Sequence, residues 1–292
     1  MNSKKKLFDF YKDSLTRLSK GRGYGKKYPV KFLMKKTKSF LKPDFCEVLG
    51  HKMYLDKHDS LDLALNGIYN SLDTKIVMNE IKPGNIVIDI GAHIGYYTLI
   101  FAELVGDSGK VFSFEPESKN FELLTKNVDV NNFQNVTLEK KGVSDRNDTC
   151  TFYVGQQSSG ANRIYEPKKT RKQNFNTTTI ETVNLDSYFE KTQKIDFIKL
   201  DIEGAELKAL SGMKSIIEYN DNLTIFTEYD PLAISDSGNK PSDIIDFLYE
   251  HNFQIYILDE NKNDMILTDK KYFKSLDSKG KLFNLLCKKI ES

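Results

Sequence analysis

The chain has 292 residues, 39% hydrophobic and 29% charged, the composition of a globular protein with room for one large α/β domain or two small ones. No apolar run approaches the ~20 residues of a membrane span, and the basic start "MNSKKKLFDFYKDSL" lacks the apolar core of a signal peptide. The three cysteines, Cys46, Cys150 and Cys287, lie too far apart for a CxxC motif or a disulfide framework, and predict a reducing cytoplasm.

The net charge of +2 hides an uneven distribution. The first 42 residues carry fourteen Lys and Arg against Asp9 and Asp13, leaving 29 basic and 39 acidic residues in the other 250. A basic arm on an acidic body points to an anionic partner. Within the arm, Leu7, Phe8, Tyr11, Leu15 and Leu18 recur at helical spacing among lysines, which predicts an amphipathic helix over residues 4–20. Three glycines and a proline in "KGRGYGKKYP" end it. The arm is assigned to residues 1–43. Residues 44–84 follow as a lead-in segment, a hairpin turning near Gly50 and then a helix.

From residue 85 to the C-terminus the pattern alternates. Strands are predicted at 86–90, 111–115, 136–140, 195–201 and 223–228, with helices at 95–105, 117–131, 204–218 and 241–251. This alternation implies a mostly parallel, doubly wound sheet covered on both faces. Two late strands, near 253–258 and 282–288, read as an antiparallel hairpin added at one edge. Between about 150 and 185 two strands flank a long polar loop, "QQSSGANRIYEPKKTRKQNFN", and a loop of that length marks a functional or unstructured insertion.

The stretch "IVIDIGAHIGYYTLIFA" joins the first strand of this body to a helix through a glycine turn. Its glycines, Gly91 and Gly95, are spaced G-x-x-x-G, and Asp89 closes the strand. A carboxylate there would repel a pyrophosphate, and no G-K-[ST] follows, so neither an NAD fingerprint nor a P-loop fits. S-adenosylmethionine carries adenosine without phosphate. Its ammonium suits Asp89, its carboxylate suits the helix N-terminus near Gly95, and Gly91 lets the backbone pass close to a ligand. His93 lies in the same turn. Glu115, at the end of the next strand, can accept from both ribose hydroxyls. Val143, Ser144 and Asp145, in "KKGVSD", stand at a strand end where an adenine could sit. The alternative for the opening stretch is a ligand-free strand and turn, which would leave an acid buried without a partner.

The segments "VIDIGAHIGYYTLIFA", "GKVFSFEPESKNFELLTKNVDVNN", "GVSD" and "IDFIKLDIEGAELKALSGM" together resemble the FkbM family of S-adenosylmethionine-dependent methyltransferases. The resemblance covers roughly residues 45–230. Its most specific part is K-x-D-x-E-G-x-E, here Lys199, Asp201, Glu203, Gly204 and Glu206. It implies a class I Rossmann-like methyltransferase fold, S-adenosyl-L-methionine as methyl donor, and a hydroxyl of a sugar, glycan or related small metabolite as acceptor. The basic helical arm falls outside it.

Methylating a hydroxyl requires in-line alignment and removal of a proton. In an open α/β sheet the ligand lies at the carboxyl ends of the strands. "IDFIKL" delivers Asp201 and Glu203 to that edge and "LTIFTEY" delivers Glu228, so these three acids are assigned the chemical step. Lys199 is read as an ion-pair partner for one of them, and Glu206 as a helix cap. No metal site is assigned, although two carboxylates such as Asp201 and Glu228 could hold a divalent cation. The remaining alternatives are a nucleic-acid methyltransferase gripping phosphates with its arm, for which no nucleic-acid-binding module is evident, and a non-catalytic scaffold at a membrane surface. A basic amphipathic helix can lie on an anionic membrane, which allows peripheral contact with the inner face of a membrane through residues 4–42; the alternative is that Leu7, Phe8, Tyr11, Leu15 and Leu18 pack on the body or on a second subunit, with the lysines solvated.

Overall fold

The computed structural model describes Leu7, Phe8, Phe10, Tyr11 and residues 40–156, 158–168, 174–260, 262–276 and 281–290. Of the predicted arm helix, those first four residues are helical; the rest of residues 4–39 lies outside the described residues. The chain divides into two compact units, Met1–Tyr69 and Asn70–Ser292.

In the first unit, β1 (Phe45–Val48) and β2 (His51–Tyr54) form an antiparallel hairpin. Leu49 and Gly50, both at positive φ, make the two-residue turn that suits strand twist. Asp59 accepts from the backbone N–H groups of Leu63 and Ala64 and so starts the short helix α1 (Leu63–Asn66).

The second unit opens with α2 (Ser71–Glu80), so this helix belongs with the body and the division falls before it. There follow β3 (Ile86–Ile90), α3 (Tyr96–Val105), β4 (Lys110–Phe114), α4 (Ser118–Val130) and β5 (Val136–Glu139). The insertion contributes β6 (Gly142–Val143), β7 (Asp148–Gly155) and β8 (Phe175–Val183), and α5 (Leu185–Tyr188) leads back to β9 (Phe197–Leu200). After α6 (Glu206–Ser211) and α7 (Lys214–Tyr219) come β10 (Thr224–Tyr229), α8 (Pro231–Asp236) and α9 (Pro241–Glu250). The chain ends with β11 (Phe253–Asp259), β12 (Asp264–Thr268), α10 (Lys270–Leu276) and β13 (Phe283–Lys289).

One sheet of eight strands runs β12-β11-β13-β10-β9-β3-β4-β5, and a second sheet of three runs β6-β8-β7. Strands β10, β9, β3, β4 and β5 are parallel, and β13 is antiparallel to both its neighbours. This is the class I Rossmann-like methyltransferase architecture, an α/β fold with a mostly parallel sheet. The two late strands are antiparallel neighbours, and β13 slots between β10 and β11 while β12 makes the edge hairpin with β11. Its sequence explains the inner place: Phe283, Leu285, Leu286 and Cys287 are all buried, as an interior strand requires. The helix predicted over 204–218 breaks into α6 and α7 at Gly212, where a Cβ would overlap the Ser144 carbonyl.

The central strands read as apolar runs because both their faces are covered. Ile88, Ile90, Ile198, Leu200, Ile225 and Leu285 are fully buried in one contiguous core. Strands β4 and β5 extend from β3 on one side, β9 and β10 on the other. The order therefore reverses between β3 and β9, and the crevice of such a sheet opens at that switch point, beyond the carboxyl ends of the strands. Asp89 pairs in register with Lys199 there, and Ile90 with Leu200.

Candidate active site

The turn from β3 to α3 is built from residues in left-handed backbone. Gly91 has φ 75°, His93 53° and Gly95 93°. A Cβ at Gly91 would overlap the Asp201 carbonyl oxygen, so this glycine answers first to the neighbouring strand end and not to ligand space. Gly95, at the N-cap of α3, has no side chain with which to cap that helix.

Asp89 is completely buried. Its Oδ2 accepts from Thr98 Oγ1 at 2.7 Å, and its Oδ1 lies 3.6 Å from Lys199 Nζ with no hydrogen-bond partner among the described residues. Burial raises the Asp89 pKa, an effect that Lys199 and Thr98 offset only in part. Lys199 is equally sealed. Burial works against its charge, but Asp201, Asp89 and Glu115 outweigh it and the pKa rises. Its ammonium donates to the Gly91 carbonyl at 2.8 Å and lies 3.5 Å from Asp201 Oδ2. Lys199 thus ties the β3 turn to the end of β9, the ion-pair role expected of it.

Glu115 stands one residue past β4, buried, and accepts from the backbone N–H groups of His93 and Glu117, each at 2.9 Å. Asn120 Nδ2 adds a weaker contact at 3.4 Å. Burial nonetheless pushes the Glu115 pKa up to about 7. The carboxylate clamps two turns together at the crevice.

Val143 and Ser144 are buried and held against β8, where Ser144 N–H donates to the Val183 carbonyl at 2.9 Å. Asp145 is half-buried, and its bond to Arg146, 2.9 Å, holds its pKa below the usual carboxylate range.

The acids sit at the ends of β9 and β10. The Asp201 side chain is 41% exposed. Glu203 is in left-handed backbone at φ 56°, and burial and the charge of Asp201 push it up to about 7 against the pull of Arg163. Glu206 accepts from the N–H groups of Ile202 and Gly204, each at 3.1 Å, capping the turn as its place in the motif suggests. Glu228 is pushed up to about 10, by burial first and then by Asp201, Glu203, Glu206 and Asp230. No group of three or more His, Cys, Asp or Glu side chains with metal-holding geometry occurs among the described residues.

A family model described as the methyltransferase FkbM domain matches residues 89–255, more than half of the chain. The chain belongs to the FkbM methyltransferase family. The match begins at Asp89 and takes in every site residue above, together with the whole insertion. Solved structures similar to this FkbM chain include a provisionally named rRNA methylase of Clostridium thermocellum, 15% identical, with TM-score 0.46 over 76% of this chain and 96% of that one. A provisionally named methyltransferase of Streptococcus mutans in complex with SAH is 12% identical, with TM-score 0.44 over 75% of this chain and 97% of that one. An SAM-dependent O-methyltransferase of Thermotoga maritima is 14% identical, with TM-score 0.42 over 85% of this chain and 78% of that one. No curated protein matches the chain.

Three residues of the FkbM domain's insertion reach this site, and sequence reasoning missed them. Arg163 is 2% exposed and pairs with Glu203, Nη2 to Oε2 3.0 Å. The Tyr165 hydroxyl bonds to the Glu203 carbonyl at 2.7 Å. Ser159 Oγ lies 2.7 Å from His93 Nε2. Their only signal was a polar loop too long for a connection. The residues at the crevice fit an adenosine-bearing donor on two counts: Glu115 facing the turn, and a glycine turn braced by Lys199.

Proposed function

We propose that this FkbM methyltransferase uses S-adenosyl-L-methionine to methylate a hydroxyl of a sugar, glycan or related metabolite. When bound, the donor supplies an electrophilic methyl on its sulfonium. Glu115 accepts from the ribose hydroxyls. Val143, Ser144 and Asp145 border the adenine. The start of α3 receives the donor's carboxylate. Asp89 is sealed beneath the turn and acts through Lys199, whose bond to the Gly91 carbonyl sets the shape of the surface on which the donor lies.

The observation that carries the acceptor reading is the gathering of acids at one strand edge, Asp201 and Glu203 just beyond β9 and Glu228 within the neighbouring β10, where burial raises the pKa of both glutamates. Glu203, at about 7, can take a hydroxyl proton near neutral pH, where a matched base works best. Glu228, at about 10, is a neutral acid there and donates a hydrogen bond to an acceptor oxygen. Asp201, the exposed acid of the three, lies 3.5 Å from the Lys199 ammonium. Such an edge favours a neutral polyol over a polyanion, which argues against nucleic acid as acceptor. The free cysteines Cys46, Cys150 and Cys287 support a reducing, cytoplasmic setting, and no helix among the described residues is long and apolar enough to cross a membrane.

Calorimetry tests the donor: S-adenosylhomocysteine should bind and NAD should not, and the reverse outcome refutes the reading. Mass spectrometry of glycans and small molecules from cells with and without the protein tests the acceptor. A neutral species one methylene unit heavier is expected, and a modified nucleotide would refute it.

A further inference from the structure

The insertion between β7 and β8 bonds to four separate turns of the carboxyl edge. Ser159 Oγ meets His93 Nε2 in the β3–α3 turn, and the Ser159 carbonyl accepts from Asn120 Nδ2 in the first turn of α4 at 3.1 Å. Arg163 and Tyr165 bond Glu203 in the β9–α6 turn, and the Tyr165 hydroxyl also lies 3.0 Å from the Ala233 carbonyl in α8. Lys168 pairs with Asp236 at 3.2 Å. The glycine of the acidic motif makes room for this docking, because a Cβ on Gly204 would stand 2.8 Å from the Tyr165 hydroxyl and clash with the Ala233 carbonyl.

What holds the segment is almost wholly polar. The base of the insertion buries Phe152, Ile180 and Val183, but across 158–168 the one buried side chain is Arg163. Its Nε has no hydrogen-bond partner among the described residues. A segment fixed mainly by hydrogen bonds and ion pairs, its apolar side chains only half-buried, opens at lower free energy than the core it lies on. Ser159 also rests on His93 and Asn120, two of the three residues that hydrogen-bond Glu115. A donor whose ribose engages Glu115 therefore lies beneath it.

We propose that residues 158–165 form a wall of the donor site that closes over the bound methyl donor, with Ser159, Arg163 and Tyr165 as its positioning residues. This rests on the donor reading above. Closure explains why one short segment contacts both the Glu115 end and the acidic end of the crevice: it shields the sulfonium from water and borders the acceptor side, and a bound donor holds it in that docked position.

Hydrogen exchange on the intact protein, with and without saturating S-adenosylhomocysteine, is the first test. Amides in 158–165 should exchange about tenfold more slowly with ligand bound, as expected when a local opening is suppressed. The second test is dissociation of S-adenosylhomocysteine by stopped flow. Arg163→Met should release it about tenfold faster than wild type, and Arg163→Lys should restore part of the difference. Unchanged exchange in 158–165 with ligand demonstrably bound overturns the proposal, as does an unchanged dissociation rate in a folded Arg163→Met. Should that variant fail to fold, the exchange result on wild type decides. If wild type binds no S-adenosylhomocysteine, the donor reading itself has failed.

Discussion

Replacing Lys199 with Met removes an ammonium but keeps most of the side chain's length, so it isolates charge from packing. The ammonium is the nearest cation to Asp89, which is completely buried, and it also donates to the Gly91 carbonyl at 2.8 Å. Its contact with Asp201 contributes less, because that carboxylate is 41% exposed and screened. Removing one partner of a buried pair typically destabilises by about 3–5 kcal/mol. At about 2–4 °C per kcal/mol for a domain of this size, the melting temperature should fall by roughly 6–20 °C. Asp89→Asn in the same background removes the stranded charge and should recover stability to within about 1–2 kcal/mol of wild type.

The pH dependence gives a separate check. Burial already raises the folded pKa of Asp89, and loss of Lys199 raises it further. A carboxyl whose folded pKa exceeds its unfolded value contributes full stability below the unfolded pKa and loses it as pH rises through the folded one. The deficit of Lys199→Met should thus shrink on going from pH 8 to pH 5. Urea unfolding followed by circular dichroism measures all three variants. A loss below about 1 kcal/mol, within the range of surface pairs, or a double variant no more stable than Lys199→Met, refutes the buried-pair account.

Three further outcomes follow from the same geometry. Gly91→Ala forces a Cβ into the Asp201 carbonyl at positive φ, so it should lower stability by about 2–5 kcal/mol with no ligand present; a normal melting curve combined with lost donor binding would instead make this glycine a ligand-space residue. Glu228→Gln should stabilise the protein at pH 7 by about 1–3 kcal/mol, since wild type must hold a carboxyl at about 10 that ionises near 4.5 when unfolded, and the gain should vanish below pH 4.5; equal stability at pH 7 contradicts it. A chain beginning near Pro43 should bind the donor normally but lose salt-sensitive sedimentation with anionic vesicles, each arm Lys or Arg near the surface contributing ~1 kcal/mol; salt-resistant binding of the full chain would rule out an electrostatic arm.

Local chemistry made much of the fold legible. Strands β3, β4 and β9 were readable because a strand covered on both faces must be apolar throughout, and "IVIDI", "KVFSF" and "FIKL" nearly are. The late strands were found but not their order. Nothing in "FNLLC" says that β13 lies between β10 and β11, since that place depends on β12 and α10 intervening first. The break at Gly212 was equally hidden, because its cause is the Ser144 carbonyl, nearly seventy residues away in sequence.

The site divides along the same line. Asp89, Glu115, Asp201, Glu203 and Glu228 declared themselves because an acid at the end of an apolar strand demands an explanation. Which acid is sealed and which faces the crevice is not a property of the motif. Asp89 and Asp201 occupy comparable strand ends, yet one is wholly buried and the other 41% exposed. The difference lies in what covers them: Thr98 and Lys199 close over Asp89, whereas Asp201 meets only the edge of Lys199. Arg163 shows the opposite failure. It sits in a polar loop whose composition predicts solvent, and it is buried because Glu203, forty residues later, supplies the counter-charge that makes burial of a guanidinium affordable. A cation in a loop is therefore uninformative until its acid is found. The acid here belongs to the motif to which we assign the chemistry, and on that assignment the insertion is linked to the reaction.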